Sequence, residues 1–486
     1  MYLFKDFLNS AMSYTTWSYF VLVGLGFALY YLVKKKYQWG ILLIVSTLFY
    51  IQAVGRDLKQ LAVFYLTILI SYIFGLLLCK IKGRAFFILS LIISIFPLIL
   101  VKGNAFLFNG RVPLIVPLGL AFYSLQIYSY LFDIRAGKIQ PEENFLRYML
   151  YISFFPQIMQ GPIPRYSQLH NQLFDEHAFN PDEISKGFQL ILWGFFLKYV
   201  IAEHAAIIVN TIFDHSSLYL GCFVLVGGIL YSIQLYTDFL ACVCMCRGMA
   251  QCFGIKLAEN FMQPYRSRSI KEFWRRWHIS LSMWLKDYVY IPLGGSRKGK
   301  LRKYLNLIAT FFVSGAWHGN GYHFIAWGLL HAFYQIAGDI LHPVNKTLKH
   351  FFAIKDDSFA ERNLDRVITF FFAMLAWIMF RAESTYIGLK MIRSIFTVYN
   401  PWIFWDDSLL TLGLCWKDWI VLIFSVLILF CVERFQDINK VDIRDRILAQ
   451  PLIFRWPLYI AALSFVIIFG IYGFGFNAAD FIYRGF

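Results

Sequence analysis

The chain has 486 residues, of which 59% are hydrophobic and 15% charged, and its mean hydropathy is +0.57. Soluble domains carry about 25% charged residues, and here apolar runs of membrane-spanning length recur from end to end. A soluble domain with one anchor is therefore excluded, and a polytopic all-α membrane protein is expected. Lysine and arginine total 45 against 29 acidic residues, a net charge of +16. In such a chain that surplus reads as cytoplasmic loops beside anionic lipid rather than as nucleic-acid binding.

Lys5 and Asp6 form a weak charged start and no small-residue cleavage site follows, so no cleavable signal is expected. The first apolar run, 16–33, ends in Lys34-Lys35-Lys36; further runs fill 39–54, 61–78 and 85–101. Lys80, Lys82 and Arg84 separate the last two. Placing the two lysine-rich clusters in the cytoplasm puts the N-terminus and the 55–60 loop outside. The span 117–131 carries Tyr123, Ser124, Gln126, Tyr128 and Ser129 and ends at Asp133 and Arg135. Residues 154–166 hold three prolines and a glycine, which cannot continue a helix through lipid. Either a broken segment covered by protein or an ordinary interfacial loop fits them.

The run 184–212 contains Lys198, Glu203 and His204; Lys198 is expected to snorkel to an interface. A span at 218–236 ends at Asp238, and a cysteine-rich helix follows. Its cysteines have no zinc or disulfide spacing and read as small packing residues. Further runs at 304–316, 324–340, 367–379, 419–431 and 458–471 bring the expected total to about 11–13 membrane-embedded helices, broken segments included. The polar connections 342–366 and 433–450 read as solvated loops or surface helices. With no internal repeat and no long polar divider, one domain over 1–486 is expected.

Polar chemistry is concentrated in 260–324. A helix through Arg266, Arg268, Lys271, Glu272, Arg275 and Arg276, interleaved with Phe273, Trp274 and Trp277, would be basic on one side and aromatic on the other. It fits a surface helix at the membrane interface, or a cationic mouth for a phosphate-bearing ligand. A second basic cluster, Arg297 to Lys303, follows Gly294-Gly295. His318 lies fifteen residues beyond Lys303, about 22 Å along a helix and deep in the bilayer. There it could be a satisfied core histidine, a neutral general base or a metal ligand. The five- and eight-residue spacings of His318, His323 and His331 do not make a ligand pair on one helical face.

Several pieces, in order, carry a resemblance. They are Pro117 to Tyr123 with Tyr130-Leu131-Phe132-Asp133; Phe154 to Tyr166; Glu259-Asn260-Phe261 with Pro264-Tyr265; Lys271 to Tyr290; Gly315-Ala316-Trp317-His318-Gly319 with Trp327-Gly328 and His331; and Phe481-Ile482-Tyr483. With them the chain resembles the membrane-bound O-acyltransferases (MBOAT) of the alginate O-acetylation branch and, more distantly, the D-alanyl transfer proteins of teichoic acids. The resemblance implies an MBOAT-type helical funnel, with N-terminal spans in 1–110, a catalytic core in 111–340 and C-terminal spans in 341–486. It implies His318 as the catalytic histidine, with His278 near the same tunnel. Asn260, Arg275, Arg276, Trp277, Ser282, Asp287, Tyr288 and Trp317 become candidates for substrate or donor contacts.

No metal and no bound cofactor is implied; an acyl thioester, acetyl-CoA or a carrier-protein thioester, is the substrate. The implied setting is the bacterial cytoplasmic membrane and its lipid, with a polysaccharide or other hydroxyl acceptor and an extracytoplasmic acetyltransferase partner. After Asp238-Phe239 the branch has a Ser-Gly-Tyr-Ser-Asp-like run, whereas this chain has Leu240-Ala241-Cys242-Val243-Cys244. The expected function is O-acylation of a cell-envelope polysaccharide. D-alanyl transfer and non-enzymatic transport of an acylated or glycan substrate stand as alternatives.

Overall fold

A computed structural model describes residues 12–108 and 110–472, and every regular element among them is helical. Lys5, Asp6 and the Phe481-Ile482-Tyr483 piece lie outside the described residues. Among the described residues, six helices are long and apolar enough to cross a membrane: Leu58–Lys80, Pro181–Asp214, Cys222–Cys252, Tyr322–Phe351, Phe359–Arg381 and Leu452–Phe469. The pair Arg84–Ser94 and Phe96–Phe108 would make a seventh span. The larger number expected from sequence also counts helices outside this set, among them Gln38–Ala53, Leu120–Arg135, Lys300–His318 and Trp416–Asn439.

Burial sorts these helices into centre and rim. The apolar window of Cys222–Cys252 is 83% buried, against 6% for Leu452–Phe469. The outer surface is studded with exposed Leu25, Leu66, Ile420, Phe424 and Ile467, side chains that lipid tails solvate and water does not. At the centre, Pro181–Phe195 packs against Cys222–Cys252 through small residues. A Cβ on Gly187 would lie 2.6 Å from the Gly248 carbonyl oxygen, and one on Gly194 would lie 2.9 Å from that of Ala241. Such close backbone approach is how helices associate where no hydrophobic effect separates them from solvent.

Three expectations are corrected. The run 85–101 is not one straight span: it bends by 68° between Ser94 and Phe96. Pro97 follows the bend, and its ring and missing N–H disrupt the helix there. Asp238 does not end a span either, because one helix runs unbroken from Cys222 to Cys252. Lys198 does not snorkel; it is 3% exposed, within a π-helical turn at Phe196–Ala202. Its ammonium is 2.6 Å from Asp238 Oδ1 and 2.7 Å from Glu203 Oε1. A nearby carboxylate holds the charge inside, which a hydropathy reading cannot see. The cysteines Cys242, Cys244 and Cys246 are buried packing residues on the same helix, and all eight cysteines are free.

Between Phe145–Ser153 and Tyr166–Phe174 the chain is non-helical, and residues 154–164 are buried. Covered irregular backbone must find partners, and it does. Phe155 N–H donates to Ser46 Oγ (3.1 Å), Met159 N–H to the Tyr14 hydroxyl (3.2 Å) and Ile163 N–H to Ser280 Oγ (3.1 Å). The protein-covered broken segment is the reading that holds, and its last bond ties it to the central motif.

Candidate active site

Lys300–His318 ends at His318 because Gly319 is fully extended (φ −167°, ψ −178°). The chain then turns into Tyr322–Phe351. The two helices form a hairpin at very close range: a Cβ on Gly315 would lie 2.4 Å from the Phe324 carbonyl oxygen, and one on Gly328 would lie 2.3 Å from that of Phe311. Glycine is the residue that permits this approach. The hairpin buries His318 to 1% exposure between the rings of Trp317 (4.8 Å) and Trp327 (4.7 Å). His318 Nδ1 is 2.7 Å from the Ser314 carbonyl oxygen. A carbonyl only accepts, so Nδ1 carries the proton and the basic lone pair is on Nε2.

His278 stands where the expected basic-aromatic helix breaks. Ile270–Arg276 and Ile279–Leu285 are separate helices, and His278 between them is left-handed (φ 43°, ψ 55°). Asn260 holds the break: its carbonyl accepts from Ile279 N–H (2.9 Å) and its Oδ1 from Ser280 N–H (3.3 Å). The fully buried His278 ring meets Phe239 edge-on at 4.8 Å and lies 6.5 Å from the His318 ring at 87°.

Asn260, Trp277 and Trp317 thus gather around the two histidines. Trp277 is buried against Phe261 (5.1 Å) and Trp377 (4.8 Å), and Trp317 Nε1 donates to the Ala121 carbonyl (3.1 Å). Ser282 Oγ donates to the Trp277 carbonyl (3.1 Å). Asp287 and Tyr288 join a separate network: Arg165 bonds Asp287 (2.9 Å) and lies 4.3 Å over the Tyr288 ring, whose hydroxyl donates to Asp133 (2.7 Å).

Arg275 is exposed, and Arg276 pairs with Glu272 (2.8 Å). Their neighbours are neutralised by the late polar connections: Arg266 pairs with Asp437 (2.8 Å), and Arg268 with Asp357 (2.8 Å) and Glu361 (3.4 Å). Acids distant in sequence supply these partners, which a linear reading of the cluster does not reveal.

The site also takes in residues that were not singled out as contacts. His331 lies one helical turn from Trp327 and is fully buried among Trp274 (5.0 Å), Trp327 (5.2 Å) and Phe311 (6.1 Å). Its four-residue spacing from Trp327 was the available signal; Phe239, brought in from another helix, had none. Both ring nitrogens of His278 and of His331, the indole N–H of Trp274 and of Trp327, and Asn260 Nδ2 are buried without a partner among the described residues. Left dry, each would cost about 1–3 kcal/mol. Their concentration around His318 marks the wall of a site built for a polar guest or water. No group of three His, Cys, Asp or Glu side chains with metal-binding geometry occurs among the described residues.

A helical membrane scaffold holding two buried histidines with their rings 6.5 Å apart defines the class of site. The MBOAT, membrane-bound O-acyltransferase family pattern matches residues 11–389, reaching N-terminal spans that the motifs alone did not cover. The chain therefore belongs to the MBOAT family, and O-acyl transfer is its class of chemistry. It is 30% identical over 388 residues to the "probable alginate O-acetylase AlgI" of Pseudomonas fluorescens, covering 79% of this chain and 75% of that protein. It is 36% identical over 309 residues to a peptidoglycan O-acetyltransferase of Helicobacter pylori, covering 58% and 57%. To a teichoic acid D-alanyltransferase of Bacillus subtilis it is 30% identical over 278 residues, covering 54% and 69%. The matched stretch spans between about half and three quarters of these relatives' lengths.

Proposed function

We propose that this protein takes an acetyl group from a thioester on the cytoplasmic side and delivers it toward the hydroxyls of a cell-envelope polysaccharide, with residues 111–340 as its catalytic core. The observation that carries the reading is the bond from His318 Nδ1–H to the Ser314 carbonyl, 2.7 Å long. It orients an imidazole whose Nε2 is ready to accept a proton. In the proposed step the acceptor hydroxyl attacks the thioester carbonyl while its proton passes to His318 Nε2. The C–S bond breaks, and the proton moves on to the departing thiolate, so the base is regenerated and the products are ester and thiol.

His278 polarises the reacting carbonyl or orients the acceptor. Asn260 holds the His278 turn, and Trp277 and Trp317 wall the site. Arg275 and Arg276 are the proposed donor contacts on the exposed rim, with Ser282, Asp287 and Tyr288 on the substrate path. The protein sits in the bacterial cytoplasmic membrane and hands the acyl group to an extracytoplasmic acetyltransferase partner or directly to the polymer. Membership of an acyltransferase family sets aside the transporter alternative. The likeness to the Bacillus subtilis enzyme keeps D-alanyl transfer as a second reading.

The deciding assay uses purified protein with labelled acetyl-CoA and, in parallel, acetyl- and D-alanyl-carrier thioesters. Loss of a general base lowers turnover by roughly 10²–10⁴-fold, and His318→Ala is expected to do so. Transfer unaffected by that substitution overturns the assignment of His318.

A further inference from the structure

Glu433 opens a polar stretch that reads as solvated, yet it is 7% exposed, on the last turns of Trp416–Asn439. The Tyr236 hydroxyl, from Cys222–Cys252, donates to its Oε1, and Gln263 Nε2 donates to its carbonyl oxygen (2.9 Å). One turn further on, Asp437 pairs with Arg266 (2.8 Å). A helix outside the family-matched residues 11–389 therefore grips the 263–266 segment at two points and Tyr236 at a third. A buried carboxylate is costly unless it is hydrogen-bonded, and an apolar side chain would fill the same space without that cost.

Both gripped parts reach the His278 turn. Just before Gln263, the chain bonds across the break on either side of His278: the Asn260 carbonyl accepts from Ile279 N–H (2.9 Å), and Met262 N–H donates to the Arg276 carbonyl (3.0 Å). Gln263 is itself left-handed (φ 49°, ψ 61°), a strained turn that its bond to Glu433 helps to hold. Tyr236 packs its ring against Phe261 (5.5 Å) and Trp277 (6.0 Å). Phe239, three residues along the same helix, meets Phe261 (5.1 Å) and His278 (4.8 Å). Residues three apart share a helical face, so one face of Cys222–Cys252 backs Trp277 and His278 together.

We infer that Glu433 and Tyr236 are positioning residues for His278, bracing its turn from behind through Gln263, Phe261 and Trp277. The inference rests on the role proposed above for His278. Both nitrogens of that ring lack a partner among the described residues, so no hydrogen bond there fixes its orientation and the packing behind it must. Misplacing a reacting group by about 1 Å costs up to about 10²-fold in rate, and the brace acts on that scale without either side chain meeting substrate.

Turnover and the histidine NMR spectrum of the detergent-solubilised full-length protein test this. Tyr236→Phe keeps the ring and removes the hydroxyl; it is expected to lower kcat about ten-fold with KM unchanged. Glu433→Gln keeps an acceptor for that hydroxyl and should keep wild-type turnover. The double variant Tyr236→Phe/Glu433→Leu removes both polar ends, so its melting temperature should stay near the wild type while its turnover stays low. In a His278→Ala background Tyr236→Phe should have no further effect, because residues acting through one group are not additive. The imidazole signals missing from His278→Ala identify His278, and they should shift in Tyr236→Phe but not in Glu433→Gln. Unchanged kcat in Tyr236→Phe, a loss that adds to that of His278→Ala, or unmoved His278 signals overturns the inference. So does a double variant that regains turnover together with its melting temperature. Wild-type turnover in His278→Ala, with the signals still shifting in Tyr236→Phe, counts against the acyl-transfer role of His278 and leaves the brace standing.

Discussion

A left-handed backbone at a non-glycine residue costs on the order of 1–3 kcal/mol, and His278 adopts it at φ 43° with its ring fully buried and both nitrogens unpartnered among the described residues. Strain and unmet polarity at one residue are what support the proposed role of His278 over a packing one. His278→Ala is expected to lower acyl transfer by roughly ten- to a hundred-fold, the scale of one lost polarising hydrogen bond or proton contact. Its melting temperature should stay near the wild type, because losing two unpartnered nitrogens offsets losing ring contacts with Phe239. A variant that does not fold would make His278 structural. Parallel turnover and thermal-unfolding measurements on the purified variant separate these outcomes.

At the scale of elements, two contacts hold the His318 hairpin and the central helix pair. The hairpin depends on Gly315 facing the Phe324 carbonyl. Gly315→Ala would put a methyl 2.4 Å from that oxygen, and overpacking of this sort costs about 1–3 kcal/mol. Lower thermal stability together with reduced turnover is the expected result, since separating the helices moves His318 away from Trp327. The central pair depends on Lys198 between Asp238 and Glu203. Lys198→Met leaves buried carboxylates without their cation, which costs about 3–5 kcal/mol. The double variant Lys198→Met/Asp238→Leu should recover much of the loss, as thermal unfolding in detergent would show.

For the whole molecule, the loop 136–144 is clamped onto Tyr166–Phe174, the helix that follows the broken segment. Glu142 accepts from the Tyr166 hydroxyl (2.8 Å), from His170 Nε2 (3.0 Å) and from Asn144 N–H (3.0 Å). Burial opposes the charge on Glu142, but bonds from His170, Asn144 and Tyr166 outweigh it and hold its carboxyl down at about 2. The Glu142 bond raises His170 above the ordinary imidazole value, against burial and the repulsion of Arg147. A raised histidine contributes its full stability below its unfolded value, near pH 6.5, and loses it as pH climbs through the folded one. Glu142's share is present above its unfolded value, about 4.3, and fades as pH falls toward 2. Thermal stability should therefore decline from pH 6 toward pH 8.5 in the wild type, with a flatter profile in His170→Gln. Equal slopes would remove His170 from the account.

Sequence alone determined the medium, the helical class and the family. Recurrent apolar runs and a 15% charged fraction leave little choice about the solvent, and the Trp317-His318-Gly319 and Phe273 to Tyr288 pieces carry the resemblance. These are local properties, set by side-chain polarity and spacing along one strand of chain. Tertiary structure decided whatever depends on a partner far away in sequence. It paired Lys198 with Asp238, covered residues 154–164 with protein, and neutralised Arg266 and Arg268 with Asp437, Asp357 and Glu361. It also bent the 84–108 segment by 68° and set its second arm against Tyr322. Charge, depth and burial are sums over neighbours, and in a chain folded from many spans most of those neighbours come from other helices.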